Sequence, residues 1–164
     1  MKKHTLLYLL LLGFLTSCAS HEKTTRHTNT NISPASSDNT SVEMTETNTA
    51  ISITINEQTF AGTLISSPTT TAFKKLLPLD MTMTELNGNE KYYHLPQKLP
   101  TNPESIQTIQ AGDLMLFGSD TLVLFYEDFS TSYSYTPLGN IANPSDLKEA
   151  LGRGYSPITI TLTK

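Results

Sequence analysis

The chain has 164 residues, a formal net charge of −4, 37% hydrophobic residues, one cysteine and no tryptophan. One cysteine excludes an internal disulfide framework, and the acidic balance argues against a phosphate-backbone partner, which needs clustered positive charge. No nucleic-acid partner is expected.

The N-terminus reads as a targeting signal. Lys2, Lys3 and His4 form a basic n-region, and Thr5 to Leu15 is an apolar stretch of h-region length, too short to span a bilayer as a helix. Leu15-Thr16-Ser17-Cys18 then resembles the lipobox of bacterial lipoproteins, in which a cysteine after small residues is lipidated and becomes the new N-terminus. Residues 1–17 are therefore expected to be a signal peptide, and Cys18 the lipidation site and contact to membrane lipid. Lipidation also explains an odd thiol in an exported chain. One acyl chain holds a protein marginally and two hold it stably, so the mature chain is expected to stay on the cell envelope. Ala19 is not the aspartate associated with inner-membrane retention, which favours the outer membrane in a Gram-negative host.

Residues 18–49 are rich in Ser, Thr and Asn, with few large apolar residues and no periodicity. Such a segment cannot bury enough surface to offset its ordering entropy and reads as a disordered tether. A flexible coil of that length spans about 30 Å. His21 and His27 lie in it without a frame that would make them metal ligands.

Residues 50–164 have the length of one domain, with seven Lys/Arg against eleven Asp/Glu. Ile51-Ser52-Ile53-Thr54-Ile55 alternates as a half-buried strand does; Asn56-Glu57 turns the chain, and Gln58 to Ile65 returns it. Ala72, Phe73, Leu76 and Leu77 stand at helical spacing, which predicts a short helix over 71–77 stopped by Pro78. Leu79 to Thr84 alternates again, Asn87-Gly88 signals a hairpin, and Lys91 to Leu95 makes the next strand. Leu114 to Phe117 and Thr121 to Tyr126 flank the turn Gly118-Ser119-Asp120. Leu122 to Phe125 is apolar on both faces, which predicts a central strand. Tyr133 to Thr136 is extended. Asn143 as N-cap, Pro144 at the first position and Gly152 as stop predict a second helix that buries Leu147 and Leu151. Ile158 to Leu162 closes the chain with a further alternating strand. The expected fold class is mainly β: a small closed barrel or sandwich with two helices over its ends.

Several blocks in order resemble the bacterial cyclophilin-like domains: Ile51 to Asn56, Phe73 to Leu79, Glu85 to Gly88, Lys91 to Pro96, Gly112 to Leu116, Leu122 to Tyr126, and Ser132 to Gly139. The resemblance implies an eight-stranded cyclophilin-like β-barrel capped by two helices. It does not imply prolyl isomerisation. In isomerases of that fold a Phe-His-Arg strand supplies an arginine that polarises the amide. Gln110-Ala111-Gly112-Asp113 is superficially similar to the stretch that follows, but Leu99 to Asn102 upstream contains no arginine. Without a guanidinium the main electrostatic stabilisation of the twisted amide is missing, so the alternative function is at most a weak, residual prolyl isomerisation through Gln110 and the tyrosines. Domains of the group also occur beside flavodoxin-like modules, so an accessory role to a separate redox partner is a further reading. This chain has no phosphate-cradling loop of its own, and no cofactor is expected.

The scarcity of reactive side chains excludes most chemistry. Residues 50–164 hold no cysteine and one histidine, His94, so a His/Cys zinc site and a thiol nucleophile are not available. No serine is marked as activated by His94, which reads as structural or as a pocket wall. Glu127-Asp128 could divide acid and base roles or simply form a solvated strand exit, and Asp113 could cap a turn. No catalytic or metal-binding residue is assigned. The aromatic residues Tyr92, Tyr93, Phe125, Tyr126, Phe129, Tyr133 and Tyr135 are concentrated in three neighbouring stretches. Some must be core. Alternation pairs Tyr92 with His94 and Tyr133 with Tyr135, and tyrosines at a barrel rim can line a site for a peptide or small molecule. The candidate ligand-binding set is Tyr92, His94, Gln110, Phe129, Tyr133 and Tyr135.

Overall fold

The computed structural model describes residues 47–163; the signal peptide, Cys18 and nearly all of the tether lie outside the described residues. Thirteen elements follow in order: β1 (Thr49–Ile55), β2 (Gln58–Leu64), α1 (Pro68–Lys74), β3 (Leu79–Leu86), β4 (Glu90–His94), β5 (Glu104–Ser105), β6 (Thr108–Ile109), β7 (Asp113–Phe117), β8 (Thr121–Phe125), β9 (Phe129–Ser130), β10 (Ser134–Ile141), α2 (Leu147–Leu151) and β11 (Ser156–Leu162). Eight of the strands pair antiparallel in the order β2-β1-β11-β3-β4-β8-β7-β10, and β10 pairs back onto β2. The result is the closed eight-stranded barrel with two helices that the resemblance implied, and of the two forms the sequence pattern allowed, barrel or sandwich, it is the barrel.

Strand alternation decides what fills the barrel. Ile51, Ile53 and Ile55 of β1, Met81 and Met83 of β3, Leu114 and Leu116 of β7, Leu122 and Leu124 of β8, and Ile158 and Ile160 of β11 belong to one continuous buried cluster. Phe73 of α1 and Leu147 and Leu151 of α2 join it, so each helix buries apolar residues in the barrel core. Each such side chain contributes roughly 2 kcal/mol by leaving water. The Asn87-Gly88 hairpin has positive φ at both residues, 57° and 77°, the geometry of a type I′ turn that matches strand twist.

Closure depends on a close approach. Gly139 of β10 stands opposite Leu64 of β2, and a Cβ there would lie 2.0 Å from the Thr63 carbonyl oxygen and 2.9 Å from Leu64 Cα. Next to it, a register shift between Pro137 and Gly139 bends β10 where it leaves β7 for β2.

Both helices begin elsewhere than the pattern suggests. α1 starts at Pro68, with Ser67 as its N-cap in a reciprocal pair with Thr70, because Ser67-Pro68 combines a good cap with a proline at the first helical position. Leu76 and Leu77 fall in a tighter turn after it, their amides bonded to Phe73 and Lys74. For α2, Asp146 occupies the cap position without a side-chain bond. Asn143 is not the cap: Pro144 instead opens a turn in which its carbonyl accepts from the Leu147 amide. β10 also continues through Pro137 to Ile141, longer than the stretch read as extended.

One charge lies inside the barrel. Lys91 is fully buried; its Nζ donates to the carbonyls of Gly152 (3.1 Å) and Gly154 (2.8 Å) and pairs with Glu85 at 3.0 Å. Gly152 and Gly154 both have positive φ in this turn after α2. The Tyr126 hydroxyl donates to Glu85 at 2.6 Å, and the Gly88 amide donates to the same carboxylate. Burial pushes Glu85 up, but these donors together outweigh it and hold the carboxyl below its ordinary value. The network ties the β3–β4 hairpin to the turn that follows α2.

Gly139→Ala is expected to lower the unfolding free energy by at least about 2 kcal/mol, because backbone atoms of β2 must move to admit one methyl. Urea denaturation of the variant beside the parent measures this.

Candidate functional site

The strand register lays a grid of side chains on the outside of the barrel. In the first row Phe117 of β7, Thr121 of β8 and His94 of β4 are cross-strand neighbours. In the second row stand Met115, Val123, Tyr92 and Thr84. The third row holds Phe125, Glu90 and Leu86. Here the double-faced hydrophobicity of β8 finds its reason: Leu122 and Leu124 face the interior, while Val123 and Phe125 enter a second buried cluster with Ile109, Met115 and Tyr135. The small β6–β9 ladder carries Ile109 and Phe129 onto that cluster.

On this grid lies a cleft of about 430 Å³ lined mainly by Tyr92, His94, Phe117, Tyr133 and Tyr135, with Leu86 and Asn87 at one end. Tyr92 and His94 meet edge to face at 5.5 Å between centroids. Phe117 meets Tyr133 at 6.0 Å and Tyr135 at 5.6 Å, and Tyr135 stands edge-on to Phe125 at 5.4 Å. The Thr121 hydroxyl and His94 Nδ1 are hydrogen-bonded at 3.1 Å. Three wall rings are open to solvent, His94, Phe117 at 44% and Tyr133 at 63% exposure. Ring stacking fixes the walls, and Phe117 and Tyr133 form an apolar lip with hydroxyl groups beside it.

The structure brings four of the six candidate residues, Tyr92, His94, Tyr133 and Tyr135, to this cleft. Phe129 packs under it, tilted against Phe125 at 5.6 Å. Gln110 does not line it: its side chain is exposed at a turn, and its backbone amide donates to Asp113. Tyr93 and Tyr126 face the barrel interior, because alternation places them with Lys91 rather than with Tyr92. Phe117 was not among the candidates; its place before Gly118 in a hairpin, one residue past an apolar run, was the signal available for it. Asp113 does cap a turn, accepting from the Gln110 amide at 2.9 Å, and burial pushes its carboxyl up. Asp128 accepts from the Ala111 amide at 2.7 Å, and Glu127 pairs with Lys148 at the surface. These acids have structural partners. Arg153 borders a different cleft, beside Lys148, Glu149 and Gly152. Among the described residues no group of three or more His, Cys, Asp or Glu is placed to hold a metal ion, and no helix is long and apolar enough to cross a membrane.

Glu90 is the unexpected member of the grid. It is 8% exposed, between Phe125 and Leu86 across the strands and two residues from Tyr92 along β4. Among the described residues nothing hydrogen-bonds to its carboxyl or forms an ion pair with it. Burial, and then the charge of Glu85, push it above the ordinary carboxylate value. Burial also raises Tyr135, with the charge of Glu90 adding to the effect. A raised folded-state value means that ionising Glu90 opposes folding: the penalty is absent below the ordinary carboxylate range and complete above the raised value. Glu90→Gln is therefore expected to raise the melting temperature at pH 7, with the gain disappearing as the pH falls below about 4. Thermal melts of both proteins across that range check the sign.

No curated protein matches the sequence. The family model described as the cyclophilin-like family matches residues 53–163, which span the barrel from β1 to β11. With that match across most of its length, and with the closed barrel it describes, the chain belongs to the cyclophilin-like family.

Proposed function

We propose that this protein is a lipid-anchored envelope lipoprotein whose cyclophilin-like domain is a non-catalytic binding module, taking a peptide or small molecule in the aromatic cleft. The observation that carries the binding reading is the convergence of Tyr92, His94, Phe117, Tyr133 and Tyr135 on one concave surface, with three of the rings, His94, Phe117 and Tyr133, left open. Apolar clefts with a few polar groups at fixed positions are the usual form of small-ligand sites. Against isomerisation stands the composition of the cleft wall. Its polar groups are tyrosine hydroxyls, Asn87, Thr121 and His94, and the nearest analogue of a polarising cation, Arg153, borders another cleft. Gln110, on which a residual isomerase would draw, lies outside the wall.

The anchoring half of the reading rests on the run Lys2 to Cys18 and on the absence of any other cysteine from the sequence. With Cys18 lipidated, the tether would hold the domain about 30 Å from its anchor. The cleft would then be presented to the periplasm or the cell exterior.

Two experiments separate the halves. In cells, the parent chain is expected in the membrane fraction, carrying radiolabelled palmitate. Cys18→Ser should lose the label and its firm membrane association; an unchanged distribution refutes the anchor. For the cleft, a tetrapeptide and metabolite panel monitored by nuclear magnetic resonance should shift signals of Tyr92, His94 and Tyr133. Tyr133→Ala should weaken any hit at least about tenfold, while the protein accelerates proline-peptide isomerisation no more than buffer does. Shifts scattered away from the cleft, or isomerisation lost with Tyr133→Ala, contradict a non-catalytic module.

A further inference from the structure

We propose that Asn87 is a site of spontaneous deamidation, restrained by the bond between the Gly88 amide and Glu85, and that its product places a carboxylate at one end of the aromatic cleft. The modification stands apart from the binding reading; only its effect on a ligand rests on that reading.

Deamidation needs an asparagine followed by a backbone nitrogen that can reach its side chain. A Cβ on the following residue hinders that approach, and glycine has none. Asn87 is the only asparagine in the sequence followed by glycine. Asn56, Asn89 and Asn140 precede Glu57, Glu90 and Ile141, and Asn102 and Asn143 precede prolines, which have no N–H to lose. Asn87 and Gly88 are both exposed at the tip of the β3–β4 hairpin, and no atom lies within 4 Å of where a Gly88 Cβ would stand. Water, the one co-reactant, has free access to both.

In the first step the Gly88 nitrogen gives up its proton to water and attacks Asn87 Cγ. The new N–Cγ bond closes a five-membered succinimide, the Cγ–Nδ2 bond breaks, and the side-chain nitrogen takes up a proton and leaves as ammonia. Water then opens the ring at either carbonyl. One opening gives aspartate, and the other gives isoaspartate, in which the chain runs through the side-chain carbon. No electron is gained or lost.

Two features of the fold act on the first step. The Gly88 N–H donates to Glu85 Oε1 at 3.0 Å, so the proton that has to leave is held by a carboxylate, whose charge also opposes the amide anion. Lys91 and the Tyr126 hydroxyl hold that carboxylate in place. Asn87 and Gly88 also sit in the type I′ turn, with φ of 57° and 77°, and the nitrogen swings onto the side chain only when this turn opens locally. The restraint therefore belongs to the folded hairpin and not to the sequence.

The product changes the cleft. Leu86 and Asn87 line one end of it, and no aspartate, glutamate, lysine or arginine lines it anywhere. Deamidation gives this wall its one carboxylate and removes the Asn87 amide as a donor to a ligand. Isoaspartate also lengthens the backbone of the turn by one atom.

The test keeps the full chain in a non-ionic detergent at mildly alkaline pH over several weeks. Proteolytic peptides are followed by mass spectrometry for the gain of an amide-to-acid exchange, and aspartyl and isoaspartyl forms are separated against synthetic standards. Asn87 is expected to convert ahead of every other asparagine in residues 47–163, and faster in urea than in the folded protein. Glu85→Gln, which replaces the charged acceptor by a neutral one, should speed conversion in the folded protein at least about fivefold and leave the rate in urea unchanged. Tyr126→Phe disturbs the same network but leaves the Gly88 bond, and should keep the rate of the parent. Circular dichroism and melting temperatures show that both variants are folded. An Asn87 that stays intact, or converts no sooner than the other asparagines, overturns the proposal. So does a folded rate equal to that in urea, one that Glu85→Gln leaves unchanged, or one that Tyr126→Phe raises as much.

Discussion

The β2–β10 ladder is the constraint on which the rest of this structure depends. Only a residue without a Cβ permits the approach at Gly139, where the Thr63 carbonyl already occupies the space a methyl would need. Closure leaves no edge among the eight barrel strands and encloses a core filled by Ile, Leu and Met side chains. Once that interior is full, any further apolar residue on these strands has to find cover outside. The outer face of β7, β8 and β4 carries such residues, and the segments holding β5, β6 and β9 cover only part of it. The uncovered remainder is the aromatic cleft.

Consecutive positions on β4 show how alternation converts this geometry into chemistry. Lys91 points inward, where the network of Glu85, Tyr126 and the glycine carbonyls satisfies its charge and fastens a hairpin to the turn after α2. Glu90 points outward into rings and aliphatic side chains that offer no donor. The first charge is a structural device. The second weakens the fold whenever it is ionised, because burial and the charge of Glu85 oppose its negative form.

Much of the barrel was legible in the sequence. The period-two strands of Ile51 to Ile55, Leu79 to Thr84 and Ile158 to Leu162, the Asn87-Gly88 turn and the two-faced run at Leu122 to Phe125 all describe real elements. Two-residue strands such as β5, β6 and β9 carry no period to detect. The helix starts moved because local cap chemistry at Ser67 and the turn opened at Pro144 override spacing. In the candidate site, alternation correctly separated Tyr92 and His94 from Tyr93. It could not show that Phe117, Thr121 and His94 form one row, because a row requires the register of three strands. Glu90 was invisible for the same reason: an acid before a lysine in a strand reads as a solvated pair until Phe125 and Leu86 are known to flank it.

The account's central claim is that alternation on β4 gives two neighbouring charges opposite surroundings. Carbon-13 titration of the side-chain carboxyls of Glu85 and Glu90 tests this directly. Glu90 should titrate above the ordinary glutamate range, and Glu85, the partner of Lys91, below it. An ordinary midpoint for Glu90, or one for Glu85 that is not lowered, would contradict the claim.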